Sequence, residues 1–178
     1  MVLENQLKNF FEGKSDNLFF SFIEPRAIIF EERVKLKCMF CERFGNNRRC
    51  PPYPNGIDFK TSIGEYEKCM VVYTIFHYKN EQEMAVVRRE STNYLHKSLL
   101  ELEKILWKNE QVLGVSFIGG SCKLCKDGCA PTCRNPVNSR IPVEATGINV
   151  LSTIKNELNI EIKFNEPGIL YRIGLLFW

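Results

Sequence analysis

Four cysteines within twelve residues constrain the fold of this chain more than any other feature of its sequence. They follow the pattern Cys122-x2-Cys125-x3-Cys129-x3-Cys133, and we call them the second cysteine group. Sulfur atoms so close in sequence can converge on one centre only if the backbone coils around it. Gly119, Gly120 and Gly128 allow such coiling, and exposed amides there could donate hydrogen bonds to sulfur.

The spacing of this group favours metal binding. It is close to the bacterial ferredoxin run C-x2-C-x2-C-x3-C-P, but its middle gap is one residue longer and its proline, Pro136, is offset. Structural zinc usually takes two separated pairs of ligands rather than one dense run. We therefore expect a 4Fe–4S cluster at this group, with zinc as the alternative.

A first cysteine group precedes it, with the spacing Cys38-x2-Cys41-x8-Cys50 and with Pro51 and Pro52 directly after it. Three thiolates need a fourth ligand to complete a cluster site. Cys69 is one candidate, although it opens an apolar strand, where a buried structural thiol is common. The other candidates are a non-cysteine group, a borrowed ligand, or a position left open to a small molecule.

The use of cysteine also bears on the compartment. The N-terminus lacks the apolar core of a signal peptide, and no apolar run reaches about 18 residues. We therefore expect a cytoplasmic protein with no membrane partner. Thiols stay reduced in the cytoplasm, so the eight cysteines indicate metal or redox chemistry rather than disulfides.

Positive charge is concentrated around the cysteines, although the net charge is only +3. Residues 33–50 hold six cationic side chains and one acidic one, and residues 119–142 hold four and one. Nearby cations favour the thiolate form, which binds metal. Arg134, Arg140 and the Gly120 amide are our candidate contacts to a bound cluster; the alternative role for the two arginines is to hold the loop against the body.

The periodicity of apolar residues predicts an α+β fold. The predicted helices are Leu3–Phe11, Glu81–Lys108 and one after Pro142 that spans Val143 to Leu158 and includes Gly147. The predicted strands and strand-like segments are Asn17–Ile23, Ala27–Phe30, Val34–Lys37, Cys69–Tyr78, Val112–Ile118, Ile160–Phe164 and Ile169–Phe177. We expect a single domain over residues 1–178, with a mainly antiparallel sheet covered by two long helices and with cysteine-rich metal-binding loops at 38–60 and 119–142.

Several function classes lack support in the sequence. There is no G-x-S-x-G nucleophile motif, no phosphate loop and no G-x-G-x-x-G after a strand. The radical Cys-x3-Cys-x2-Cys spacing is also absent. We expect His77 and His96 to be packed or exposed side chains rather than ligands.

Two segments carry a resemblance to a known family: VKLKCMFCERFGNNRRCPPYP and GGSCKLCKDGCAPTCRNPVNSRIPVEATGINVLST. They resemble a family of predicted metal-binding proteins of anaerobic bacteria and archaea, described as a domain of unknown function, over roughly Arg26 to the C-terminus. The resemblance implies that the first cysteine group forms one ligand set and that Cys122, Cys125 and Cys133 belong to the other. Cys69 has no counterpart in that family.

Three hypotheses for function follow. We expect an iron–sulfur protein with one or two 4Fe–4S clusters that transfers electrons or serves as a redox accessory to an enzyme, with a redox protein as its partner. The first alternative is an enzyme that uses an open iron at the first cysteine group on a small-molecule ligand. The second is a zinc-stabilised interaction module, which could touch nucleic acid through Arg48 and Arg49; otherwise we expect no nucleic-acid partner.

Overall fold

The computed structural model describes residues 2–53, 56–110, 112–162 and 167–178. Its main elements, in chain order, are α1 (Val2–Phe11), β1 (Leu18–Ile23), α2 (Glu32–Met39), α3 (Phe59–Gly64), β2 (Cys69–His77), α4 (Glu81–Glu110), β3 (Val115–Phe117), α5 (Val150–Leu158) and β4 (Ile169–Phe177). Short 3-10 helices lie at Pro25–Ala27 and Val143–Thr146. None of the helices in the described ranges is both long and apolar enough to cross a bilayer.

The strands form one antiparallel sheet in the order β1-β2-β4-β3. The central strands β2 and β4 pair along nine residues, from Cys69 opposite Phe177 to His77 opposite Ile169. Both strands are rich in β-branched, aromatic and other apolar residues, which suit a sheet buried on both faces. The structure confirms the α+β class and the predicted antiparallel sheet.

Helices α1 and α4 cover one face of this sheet. The inner side of α4 presents Leu95, Leu99, Leu102 and Leu106, all fully buried, at the spacing of a single helical face. Helix α4 lies close to β4 at Gly174, where an added Cβ would come within 2.6 Å of Leu99 Cδ1 and within 2.8 Å of the Phe117 carbonyl oxygen. Because the Phe117 contact is to the backbone of the neighbouring strand, glycine is needed at this position.

The opposite face is covered by α3, α5 and the 3-10 helix Val143–Thr146. Its core joins Val71, Ile173 and Leu175 of the sheet to Ile148 and Ile154. α5 has only nine residues, so the second covering helix is shorter than the sequence predicts.

Gly147 explains that difference. It adopts a left-handed conformation with φ of 90° and ends the 3-10 helix, so the predicted helix from Val143 to Leu158 is divided in two. An added Cβ at Gly147 would lie 2.7 Å from Lys35 Cε in α2. Asn149 caps the start of α5, since its side chain accepts a hydrogen bond from the Ser152 amide at 3.1 Å.

Four predicted strand segments are also corrected. The Val34–Lys37 segment lies within α2, because α2 packs against the 3-10 helix Val143–Thr146 and long-range packing overrides a short alternating pattern. In Ala27–Phe30 there is a single bridge, from Phe30 to Ile148, and Val112–Ile118 is reduced to β3. Residues 160–162 are not a strand, and the rest of the predicted Ile160–Phe164 strand lies outside the described residues.

Candidate metal centre

The first cysteine group lies where α2 ends and a series of turns begins. Cys38 is half-buried in the last turn of α2, and the amide of exposed Cys41 donates to the Cys38 carbonyl at 3.1 Å. The Cys50 amide donates to the Asn47 carbonyl at 2.9 Å. The turns carry the chain back so that half-buried Cys50 returns towards Cys38 and Cys41.

The second cysteine group lies in a loop without helix or strand. Cys122, Cys125 and Cys133 are half-buried, and Cys129 is exposed. The side-chain amide of Asn135 donates to Cys125 Sγ at 3.4 Å, and Cys133 Sγ lies 3.5 Å from Ser139 Oγ. These polar groups orient two of the four sulfur atoms.

The two loops contact each other through three consecutive residues of the first one. The Asn47 side chain donates to the Cys122 carbonyl at 3.0 Å, and Arg48 donates to the Ala130 carbonyl at 3.0 Å. Arg49 donates to Ser139 Oγ at 2.6 Å and to the Pro136 carbonyl at 2.9 Å. Residues more than 70 positions apart in sequence are thereby brought to one face of the molecule.

The thiols of the two groups affect each other electrostatically. Burial raises the pKa of Cys50 to about 12, with further contributions from Cys38, Cys41, Cys129 and Cys122. Burial also raises the pKa of Cys122, and Cys129, Cys125 and Cys133 act in the same direction. Cys50 therefore lies within the field of sulfur atoms from both groups.

Burial is the largest cause of the raised pKa values among these thiols. It raises the pKa of Cys38 as well, helped by Glu144 and Cys41. The pKa of Cys133 is lowered, chiefly by its hydrogen bond to Ser139 and least by the positive charge of Arg49. The expectation that nearby cations favour thiolate is thus supported only by a minor effect at Cys133. Metal binding would have to displace these protons.

A cavity of about 200 Å³ lies between the two loops. All four cysteines of the second group contribute to its wall, and so do six cationic residues: Arg43, Arg48, Arg49, Arg89, Lys123 and Lys126. No acidic residue is found among the described residues that line it. The donor set and the positive surroundings fit an anionic, thiolate-bound group.

In the described conformation the cysteine side chains are not yet arranged to coordinate a metal ion. All eight cysteines are free thiols. In residues 2–53, 56–110, 112–162 and 167–178, no three or more His, Cys, Asp or Glu side chains are placed so that they could hold a metal ion. The loops therefore gather the thiols in one region, and metal binding would have to draw the sulfur atoms closer together.

Cys69 lies apart from this region. It is 1% exposed in the apolar core at the start of β2, between Ile23 of β1 and Phe177 of β4. Burial raises the pKa of its thiol. These surroundings favour a packed structural thiol over a metal ligand.

Arg134 and Arg140, the two arginines proposed from the sequence as cluster contacts, both donate hydrogen bonds to other groups of the chain. Arg134 donates to the Gly128 carbonyl at 2.8 Å, within its own loop. Arg140 forms a largely buried ion pair with Glu103 of α4, whose Oε1 accepts from Arg140 Nε at 2.8 Å. For Arg140 these contacts favour the role of holding the loop against the body.

Gly120 and Glu144 form a second connection. The Gly120 amide donates to Glu144 Oε2 at 3.3 Å, and Gly120 has a positive φ of 79°. Burial raises the pKa of Glu144. The Gly120 amide is thus engaged by a carboxylate in the described conformation.

His96 and His77 occupy different surroundings. His96 on α4 is fully buried, and its Nε2 lies 2.8 Å from the Asn138 carbonyl. Burial lowers the pKa of His96 to about 4. His77 is exposed at the end of β2. His96 is therefore a neutral, packed side chain that ties α4 to the second loop.

Sequence reasoning missed the residues that join or order the loops. Asn47 and Ser139 take part in contacts between the two loops, and Asn135 contacts Cys125 within the second loop. No local pattern marks these three residues. Glu103 did carry a signal, since it is an acidic residue directly after Leu102 on the buried side of α4.

Comparison with known proteins bears on the metal hypothesis alone. No match is found among curated proteins or among solved structures. A family model described as "Predicted metal-binding protein (DUF2284)" matches residues 21–177, which confirms the resemblance read from the two cysteine segments. The chain therefore belongs to the DUF2284 family of predicted metal-binding proteins.

Proposed function

We propose that this protein binds 4Fe–4S clusters, one or two per chain, and transfers electrons or serves as a redox accessory to an enzyme. The observation that carries the proposal is the meeting of the two cysteine groups beside one cation-lined cavity, through Asn47, Arg48 and Arg49. A chain of 178 residues can fold without metal, so stability alone does not explain seven thiols at one face.

The residues that would hold the clusters are the two cysteine groups. The second group offers four thiolates, and the first offers Cys38, Cys41 and Cys50. Such a cluster supplies a centre that accepts and releases single electrons. The six cations around the cavity would stabilise the negative charge of the thiolates, and the Asn135 contact to Cys125 would tune its sulfur.

The surface next to the thiols would admit a redox partner. Cys41 and Cys129 are exposed, and Phe40, between Cys38 and Cys41 in sequence, is 91% exposed. A large apolar side chain so exposed is typical of an interaction site when apolar neighbours such as Met39 are exposed too. We propose a protein partner with an acidic surface, since that charge complements the cationic residues around the cysteines.

A second candidate function is favoured by the position of Cys69. Because Cys69 is buried away from the site, the first group has three thiols and no fourth cysteine. A cluster held there would have one iron open to a small molecule. Electron paramagnetic resonance of the reduced protein, with and without added small ligands, tests this candidate: an unchanged spectrum would count against it.

Metal analysis of anaerobically purified protein tests the main proposal. We expect iron and acid-labile sulfide in equal amounts, and a broad visible absorption that bleaches with dithionite. Stoichiometric zinc without sulfide would select the zinc-stabilised module instead. Protein that contains neither iron nor zinc would overturn both the iron–sulfur proposal and the zinc alternative.

A further inference from the structure

Within the described residues, five of the six cations around the cavity have no carboxylate partner. The cations come from separate parts of the chain: Arg43 from the first loop, Arg89 from α4 and Lys123 from the second loop. Arg43 is the exception, since it lies 3.2 Å from exposed Glu42. Separate elements thus bring together more positive than negative charge at the cavity.

Lys123 shows how poorly these charges are balanced. It is half-buried, and its ammonium donates only long hydrogen bonds, at 3.3 Å to the Ser121 carbonyl and 3.5 Å to Ser121 Oγ. Arg43, Arg89 and Lys126 line the same cavity. A half-buried ammonium among like charges is costly unless an anion lies close to it.

The same imbalance extends to β4. Arg172 is half-buried there and donates to Thr92 Oγ1 at 3.1 Å and to the Tyr171 carbonyl at 3.0 Å, but it has no ion pair within the described ranges. Burial and Arg88 lower its pKa, and Glu144 is the acidic group that opposes them. One carboxylate therefore faces several cations.

The cations differ in what they are free to do. Arg48 and Arg49 already donate to the second loop, so they hold the site together. Arg89 and Lys123 make no such contact between the loops in the described part of the chain. The four lining thiolates would bring at most four negative charges, and bound iron would offset part of that charge. Six cations surround them.

We propose that the cavity binds a small, multiply charged oxyanion of the phosphate or sulfate class, held by Arg43, Arg89 and Lys123 next to the second cysteine group. Arginine presents a planar fork that matches the oxygens of such anions, and an ammonium adds a point charge. The proposal names the ligand class of the same cavity, and it rests on the proposed function for the cluster beside the anion.

Calorimetric titration of the anaerobically purified protein with inorganic phosphate tests this proposal, with acetate at equal ionic strength as the comparison anion. We expect saturable phosphate binding and no saturable acetate binding. Arg89→Gln should weaken phosphate binding by about tenfold or more, the size of one charge-assisted contact. Because Arg89 is exposed on α4, its replacement should leave the fold intact. Lys104→Gln, at another exposed position of α4, is the matched control and should bind as the wild type does.

Three results would overturn the anion site. They are the absence of saturable phosphate binding, equal binding by Arg89→Gln and the wild type, and binding that occurs only after iron has been removed. The last would mean that the cations serve the cluster alone. Iron and sulfide are measured on the same samples. Iron-free protein with Arg89-dependent phosphate binding would contradict the iron–sulfur proposal, whereas iron-loaded protein without phosphate binding would contradict only the anion site.

Discussion

The β-sheet and the two cysteine loops are held together by different forces. In the sheet and the helix α4 packed on it, side chains such as Leu176, Phe177 and Leu99 are fully buried, and each buried leucine or phenylalanine contributes about 1.5–3 kcal/mol. In the loops, the joining contacts are hydrogen bonds from Asn47, Arg48 and Arg49, each with a net value of about 1 kcal/mol.

This difference indicates which part depends on metal. The sheet and its helices bury enough apolar surface to fold without a metal ion. The loops are half-buried and polar, and their arrangement is supported by few strong contacts. We therefore expect metal removal to loosen the loops while the sheet stays folded. The predictions that follow test that separation, beginning with the link between the two regions.

The largest effect is expected at Glu103, which joins the two regions through Arg140. Glu103→Gln would leave the guanidinium without its charged partner and would weaken the acceptor of the Ser116 amide. Breaking a largely buried pair in this way costs about 3–5 kcal/mol of unfolding free energy. Urea denaturation measures it. Glu101→Gln is the control, because the Glu101–Lys14 pair is exposed and its loss should cost less than about 1 kcal/mol.

Leu99→Ala tests the sheet region alone. The side chain is fully buried in the core between α4 and the sheet, so its truncation should reduce the unfolding free energy by about 2–5 kcal/mol. The iron content of the protein that remains folded should not change. Leu113→Ala, at a 77% exposed position, should stay within about 0.5 kcal/mol of the wild type. A loss of iron in folded Leu99→Ala would show that the two regions are not separable.

Acid should weaken the anchorage of the second loop through His96. Its pKa is about 4 in the folded protein, against an ordinary value of 6.5. The principal cause is burial; Arg140 acts in the same direction, and Glu103 and the Asn138 carbonyl oppose it. Above pH 6.5 the contribution to stability is complete, and it declines as the pH falls towards 4, because only the unfolded chain takes up the proton. The total is about 3 kcal/mol.

Urea denaturation across this pH range, with the wild type compared with His96→Gln, measures that contribution. The glutamine amide can still donate to the Asn138 carbonyl but does not titrate. The difference in unfolding free energy between the two proteins should shrink as the pH falls. A difference that is constant from pH 7 to pH 4, the range set by the shifted and ordinary values, would contradict the buried neutral histidine.

The smallest effect is expected at the contact between the loops. Asn47 is buried, donates to the Cys122 carbonyl and accepts from the Arg49 amide at 3.0 Å. Asn47→Ala should cost about 1–2 kcal/mol and should speed hydrogen exchange in residues 119–142 without changing exchange in α4. Asn46→Ala is the control, because the Asn46 amide bonds only within its own loop. Equal acceleration in α4 would show that the loops and the sheet unfold as one unit.

The sheet region could be predicted well from the sequence, because its signals are long and local. The leucines of α4 recur over the whole helix, and β4 begins and ends at the predicted residues, Ile169 and Phe177. The prediction was wrong where a short pattern had to compete with packing. Val34 and Leu36 alternate with lysines as in a strand, yet α2 forms there against the helix Val143–Thr146. At Gly147, the helical spacing of the apolar residues predicted a continuous helix, although Gly147 adopts a left-handed conformation that ends the 3-10 helix.

The residue types of the candidate site could be predicted from the sequence, whereas the contacts that assemble the site could not. The spacing of the cysteines and the excess of arginine and lysine marked both loops. Nothing in either loop shows that Asn47 contacts the Cys122 carbonyl or that Arg49 reaches Ser139, since each contact joins residues that are far apart in sequence. The separation of Cys69 from the site likewise depends on the register of β2 against its neighbours.

The central claim is that the thiols beside the cavity, and not the thiol in the core, hold the metal. Iron content per chain in Cys125→Ala and Cys69→Ala, both purified anaerobically beside the wild type, tests it most directly, because Cys125 lines the cavity and Cys69 lies in the core. We predict that Cys69→Ala keeps the iron content of the wild type and that Cys125→Ala loses iron. Full iron in Cys125→Ala, or an equal loss in folded Cys69→Ala, would contradict the account.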